Sequence, residues 1–294
     1  MRKHPQRFTH NKQVVRDLQC ETIAKYFGDQ LGSLSYFGLP SSSLGDVKQW
    51  ATLLKSITAV ERGEIGKEWE LQHDLELEAF RCGLFDKLTL LRGDVDQIIL
   101  TGRDINGKQP LFPFDIVSLD YSGGLFYLDS KGVSVRIAAI EAVVQRQSVR
   151  KGNFVLLISC NLDGIDQGEV RGTLANMCTS LNRTGSNGDA VIAAYLKHQS
   201  EQARLKLYVP YLLNQFASKY RYHCETQPAI IYSGNLRTEM IAFRVYFKYD
   251  GKTIAPREPR ERLSQIINAP LIEIVGGVQR QTTLDLPKLR SDSQ

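Results

Sequence analysis

Between residues 34 and 159, short runs of strand-forming residues alternate with helical stretches, and this alternation most constrains the fold. The strand segments are Leu34–Leu39 (LSYFGL), Ser56–Val60 (SITAV), Leu88–Leu91 (LTLL), Asp115–Leu119 and Phe154–Ser159. Helical patterns fall at Asp46–Leu54, with Trp50 turned inward, at Trp69–Cys82 and at Val135–Ser148. Strands separated by helices form parallel βαβ units with right-handed crossovers. The expected class is therefore α/β, a mostly parallel sheet with helices on both faces.

The end of the chain follows a different rule. Pro228–Tyr232 (PAIIY) and Glu239–Tyr249 (EMIAFRVYFKY) are two strand patterns joined through the turn-like Ser233-Gly234-Asn235, which reads as an antiparallel hairpin closing the sheet. A helix is expected over residues 11–30, its end bracketed by Gly28 and Gly32, and another over Leu205–Tyr220, with Pro210 kinking it or marking its first turn. The helix at Asp46 has Ser43 or Asp46 as its expected cap. These limits divide the chain into a helical extension (1–33), a main domain (34–250) interrupted by an insertion at about 161–204, and a basic extension (251–294) with a short strand at Leu271–Val275.

Composition narrows the function classes. With 294 residues, 42% hydrophobic and 23% charged, the chain is long enough for a sizeable core. No apolar run approaches the roughly 20 residues of a membrane helix. The basic start MRKHPQRFTHNKQ lacks the apolar centre of a secretory signal. Cys20, Cys82, Cys160, Cys178 and Cys224 are widely spaced, with no CxxC pair, so the cytoplasm is the expected compartment. His4, His10, His73, His198 and His223 lack metal-ligand spacing, and no metal site is expected. His223 and Cys224 adjoin in an extended segment, point to opposite faces and read as structural. GxGxxG, GxxxxGK[ST] and GxSxG motifs are absent, which disfavours dinucleotide oxidoreductases, P-loop enzymes and serine hydrolases.

The net charge of +5 is mild, but the basic residues cluster. Arg2, Lys3, Arg7, Lys12 and Arg16 load the start; Arg146, Arg150 and Lys151 precede a strand; Lys252, Arg257, Arg260 and Arg262 follow the last long one. Such clusters can neutralise the phosphates of a nucleic acid, or they can be solvated surface charge. A protein partner is the other expectation for them.

The chemistry-bearing residues sit where strands end. Glu61 closes AVER, Asp94 follows the third strand in LLRGD, and Asp120 closes the fourth in FDIVSLDYSGGL, with Tyr121 and two glycines after it. Each acid alone reads as a helix cap or a solvated charge. Three at successive strand ends point to a shared pocket, because ligands of open α/β sheets bind outside the strands' carboxyl ends.

Five βα-type strands followed by a terminal hairpin, with these acids in order, resemble the class I S-adenosylmethionine-dependent methyltransferase superfamily, a Rossmann-like fold. The resemblance spans roughly residues 34–249. It implies that Glu61 holds the ribose hydroxyls of S-adenosylmethionine and that Asp94 lies near its adenine amino group. Gly38 would let the cofactor pass close to the backbone, and Ser41, in the loop after the first strand, would offer a hydroxyl. Asp120 and Tyr121 fall at the family's motif after strand four, where an acid accepts from a target amine and an aromatic stacks on a base. Of the family's glycine-rich first turn, Gly38 and Gly45 remain, and no proline follows Asp120. The expected function is methyl transfer, to nucleic acid before other acceptors. The alternatives are a catalytically silent Rossmann-like module that binds nucleic acid or protein, and a small-molecule methyltransferase.

Overall fold

The computed structural model describes residues 10–40, 43–61, 68–121, 123–125, 134–162, 201–233, 238–252 and 269–282. In chain order the elements are α1 (His10–Phe27), β1 (Leu34–Gly38), α2 (Gly45–Gln49), β2 (Leu54–Glu61), α3 (Glu68–Arg81), β3 (Leu88–Arg92), α4 (Val95–Thr101) and β4 (Ile116–Asp120). They continue with α5 (Val135–Val149), β5 (Phe154–Asn161), α6 (Glu201–Lys219), β6 (Tyr222–Thr226), β7 (Ala229–Ser233), β8 (Glu239–Tyr249), β9 (Leu271–Val275) and β10 (Val278–Thr282).

The ten strands form one sheet in the order β10-β9-β7-β8-β5-β4-β1-β2-β3, with β6 paired to β8 off that path. Strands β1 to β5 are mutually parallel, and β8 runs antiparallel to β5, β6 and β7. The expected α/β class, the parallel half and the closing hairpin are all present. Strand β6 was not expected; its alternating half-buried and exposed residues look like surface chain until β8 supplies the ladder.

Side-chain alternation splits the apolar residues between two faces. Ile116 of β4 packs with Tyr36, Trp50, Ile57 and Leu75 in a core that includes residues of α1, α2 and α3. Its neighbours Val117 and Leu119 point the other way, to Ile98, Val143, Leu212 and Phe216 of α4, α5 and α6. Crossovers that leave toward opposite faces from β1 and β4 make this adjacent pair the topological switch point of the sheet.

Both flanks are part of this architecture. Val15 and Leu18 of α1 pack with Ile230, Tyr232, Met240 and Ile274. Strands β9 and β10 come from the segment read as a C-terminal extension, and β9 pairs parallel with β7. A two-residue turn joins them, with Gly276 at φ 58° and Gly277 at φ 81°, the positive values that a tight hairpin of this kind requires.

Local details differ from the sequence expectations. Helix α2 ends at Gln49 rather than Leu54. Its N-cap is Leu44, at φ 52°, with no side-chain bond, so neither Ser43 nor Asp46 caps it. Helix α6 runs through Pro210. The insertion lies outside the described residues between 163 and 200.

Candidate functional site

Glu61, Asp94 and Asp120 come to the carboxyl ends of β2, β3 and β4. With β1 between β4 and β2, the Glu61 and Asp120 positions are two strand spacings apart, about 10 Å, and Asp94 is one spacing further. The three acids therefore share one edge of the sheet across the switch point.

Glu61 and Asp94 are linked through backbone. Gly93 donates its N–H to the Glu61 carbonyl at 3.2 Å, which sets the chain leaving β3 against the end of β2. Asp94 is the N-cap of α4; its Oδ1 accepts from the N–H of Asp96 at 3.0 Å and of Gln97 at 3.2 Å. A hollow of about 470 Å³ opens beside it, lined by Gly93, Asp94, Ile98, Thr101 and Ile105 among others. Glu61 and Asp120 are not in that lining.

Asp120 faces a different set of groups. Lys12 of α1 donates from Nζ to Asp120 Oδ2 at 2.9 Å. One turn along the helix, Arg16 forms a close ion pair with Asp46, and both side chains are buried. Burial pushes the Asp46 carboxyl above its ordinary range, the nearby Asp120 charge adds to this, and Arg16 and Lys12 oppose it. Two cations from one face of α1 thus compensate two carboxylates, one after β1 and one after β4. In the sequence, Lys12 and Arg16 belong to a basic cluster that reads as phosphate-binding or as solvated surface charge. Their four-residue spacing, which puts both on one helix face, was the available signal for an inward role.

Tyr121 is a correction. It was expected to stack on a target base, but it is only 3% exposed and points into the α4–α5 core. Its hydroxyl donates to Asp96 Oδ1 at 2.7 Å, and the Arg136 guanidinium lies 4.5 Å over its ring. The ring face is therefore closed to a ligand in this arrangement.

Gly38 has a packing reason to be glycine. A Cβ there would lie 2.1 Å from the Ser118 carbonyl oxygen, because β1 and β4 approach closely where Gly38 pairs with Ser118. Ser41 lies outside the described residues. Of the described residues after β1, Pro40 and Leu44 are buried, and Leu44 is held in the left-handed region.

The described residues of the other basic clusters are remote from this edge. Arg146 caps α4, donating to the Ile99 carbonyl at 2.8 Å and the Leu100 carbonyl at 3.2 Å. Arg150, Lys151 and Lys252 are exposed, but they flank the start of β5 and the end of the antiparallel β8. That is the amino end of the parallel strands, and the start of β5 at Phe154 lies roughly 17 Å along the strand from Ser159, the partner of Asp120. Residues 253–268, which hold the rest of the third cluster, lie outside the described residues. Among the described residues, no helix is long and apolar enough to cross a membrane, and no group of three or more His, Cys, Asp or Glu is placed to hold a metal.

No protein-family model matches the chain, and no curated protein matches its sequence. Solved structures do match in shape. An O-methyltransferase from Bacillus cereus in complex with SAH is 11% identical, covering 80% of this chain and 90% of its own, with a TM-score of 0.41. The N-methyltransferase NodS from Bradyrhizobium japonicum is 9% identical over 80% of this chain and 97% of its own, at 0.40. Precorrin-6y C5,15-methyltransferase from Geobacter metallireducens is 12% identical over 78% and 88%, at 0.35. The fold itself rests on the strand order and registers of this chain: five parallel strands, switch point at β1 and β4, antiparallel closure. It is a doubly wound, Rossmann-like fold.

Proposed function

We propose that the chain transfers a methyl group from S-adenosylmethionine to an acceptor placed at Asp120. The observation that carries this reading is the set of three acids, Glu61, Asp94 and Asp120, at the carboxyl ends of β2, β3 and β4 around the switch point. The donor set fits the cofactor. Carboxylates at adjacent strand ends suit ribose hydroxyls and an exocyclic amine, which are donors, and the hollow beside Asp94 has the apolar lining a purine needs. Glu61 would hold the ribose and Asp94 the adenine edge; Gly38 and Ser41 would border the methionine part.

The cofactor supplies an electrophilic methyl group on a sulfonium. The protein's share is positioning and water exclusion, and positioning accounts for much of the rate in such displacements. Asp120 would accept a hydrogen bond from the acceptor's N–H or O–H, turn its lone pair toward the methyl group, and take the proton as the new bond forms.

For the acceptor, the described members of the three basic clusters favour a small molecule over nucleic acid. Lys12 and Arg16 are engaged with Asp120 and Asp46, and Arg150, Lys151 and Lys252 lie at the opposite end of the sheet. A nucleic-acid acceptor is the reading that would draw on Arg2, Lys3 and Arg7 and on residues 163–200 and 253–268, all outside the described residues, for its phosphate contacts. Salt separates the two, since phosphate contacts weaken steeply between 50 and 200 mM.

A second reading has one specific observation behind it. The burial of Pro40 and Leu44 suits a silent binding module, with side chains where a cofactor would pass. Isothermal titration with S-adenosylmethionine decides between them. Methyl transfer requires measurable binding to the wild type and its loss in Glu61→Ala; absence of binding at millimolar cofactor leaves the module.

A further inference from the structure

The first turn of α1 is held at both ends. On one side, Lys12 Nζ reaches Asp120 Oδ2 at 2.9 Å. On the other, Asn11 Oδ1 accepts from the N–H of Gly277 at 2.8 Å, and Asn11 Nδ2 donates to the Ser233 carbonyl at 3.3 Å. Gly277 is in the β9–β10 turn, and its contact with α1 is tight: a Cβ there would lie 1.8 Å from His10 Cδ2. Gly276, its partner in the same turn, has open space where a Cβ would go. Sequence places these segments more than 250 residues apart, yet the β9–β10 turn bonds to Asn11, the neighbour of the residue that grips Asp120.

We propose that Lys12 is a positioning residue for Asp120 and that the β9–β10 turn seats it there. The proposal rests on the methyl-transfer reading. A carboxylate free to rotate at a strand end presents its two oxygens in many directions. Lys12 occupies Oδ2, which fixes the carboxylate plane and leaves Oδ1 as the oxygen aimed at an acceptor. Lys12 is 30% exposed and Asp120 21%, so the pair stands at the mouth of the site, where the acceptor arrives, and not in the core. Asn11, bridging Gly277 and Ser233, prevents the helix end from drifting away from β4. The C-terminal hairpin is thereby a working part of the site.

The test combines cofactor affinity by calorimetry with transfer of tritium from labelled S-adenosylmethionine to two acceptor probes, total RNA and a mixture of small phenols and amines. Lys12→Met is expected to lower turnover about 10- to 100-fold at saturating acceptor, the scale of loss from a misplaced reacting group, with cofactor affinity kept within about twofold. Lys12→Arg restores the cation and is expected to recover most of the turnover. Gly277→Ala, which drives into His10, is expected to reproduce the loss. Gly276→Ala carries the same backbone strain without touching α1 and is expected to keep wild-type turnover. The proposal is overturned if Lys12→Met stays within about twofold of wild type, if cofactor affinity falls by the same factor as turnover, or if the two glycine variants behave alike. A wild-type chain that binds no cofactor overturns the methyl-transfer reading and this proposal with it, and calorimetry alone reveals that case.

Discussion

Tyr121 donates its hydroxyl to Asp96 Oδ1 at 2.7 Å, tying the residue after Asp120 to the helix that begins after Asp94. Burial raises the Asp96 carboxyl above its ordinary 3.8, and the Tyr121 bond pulls it back down. An acid whose pKa is raised by folding binds more protons folded than unfolded, so stability falls as pH rises from about 3.8 through the raised value. Removing the Tyr121 hydroxyl raises that value further and deepens the loss above it. Tyr121→Phe is expected to destabilise the protein by about 1–3 kcal/mol at pH 7 and by clearly less near pH 4, as measured by urea denaturation. An equal loss at both would show that Asp96 is not the group the hydroxyl serves.

Gly38→Ala is expected to fail through packing. The added methyl would sit 2.1 Å from backbone that is itself fixed in the β1–β4 ladder, so neither strand can give way cheaply. The expected cost is at least about 3 kcal/mol, the upper end for overpacking. Thermal denaturation should show the loss with or without S-adenosylmethionine. A variant as stable as wild type would mean that the two strands separate more easily than their register implies.

The parallel half of the fold was legible in the sequence because β1, β4 and β5 are nearly continuous apolar runs, buried on both faces, and helices with one apolar stripe separate the strands. Strand β6 and the position of α1 were not. Residues Tyr222–Thr226 alternate like surface chain and become a strand only through β8. Helix α1 buries Arg16, Gln19 and Thr22 along with Val15, Leu18 and Ile23, so its inward face is polar at the end that meets the acids. Periodicity of apolar residues cannot reveal a buried face built from ion pairs. The same blind spot turned Lys12 and Arg16 into a surface cluster and Asp46 into a cap. Tyr121 misled for a related reason: its sequence neighbours place it at a strand end, but only the packing of α4 against α5 shows its ring covered by Arg136.

Asp94 has two separable roles, and substitution can part them. As N-cap of α4 it needs only a short side chain with an acceptor oxygen. As a partner for an adenine amine it needs its carboxylate. Asp94→Ala should cost about 1 kcal/mol of stability through loss of the cap, whereas Asp94→Ser should leave stability close to wild type. Both should weaken S-adenosylmethionine binding in calorimetry. If Asp94→Ser binds the cofactor as tightly as wild type, the residue is a cap and nothing more.

The Arg16–Asp46 pair should be far more sensitive to losing one partner than to losing both. Each side chain is at least nine-tenths buried, so Arg16→Met strands a carboxylate away from water beside the Asp120 charge. The expected loss is about 3–5 kcal/mol at neutral pH, the range for breaking a buried pair from one side. Asp46 already titrates above its ordinary range because of burial, and without Arg16 it moves higher. Protonation then relieves the variant, so its stability should recover as pH is lowered from 7 toward 4. Arg16→Met combined with Asp46→Asn removes the stranded charge and should regain most of the loss at pH 7. Chemical denaturation of the four proteins in a double-mutant cycle measures this directly. Additive losses would mean that the two side chains are stabilised independently by α1 and α2.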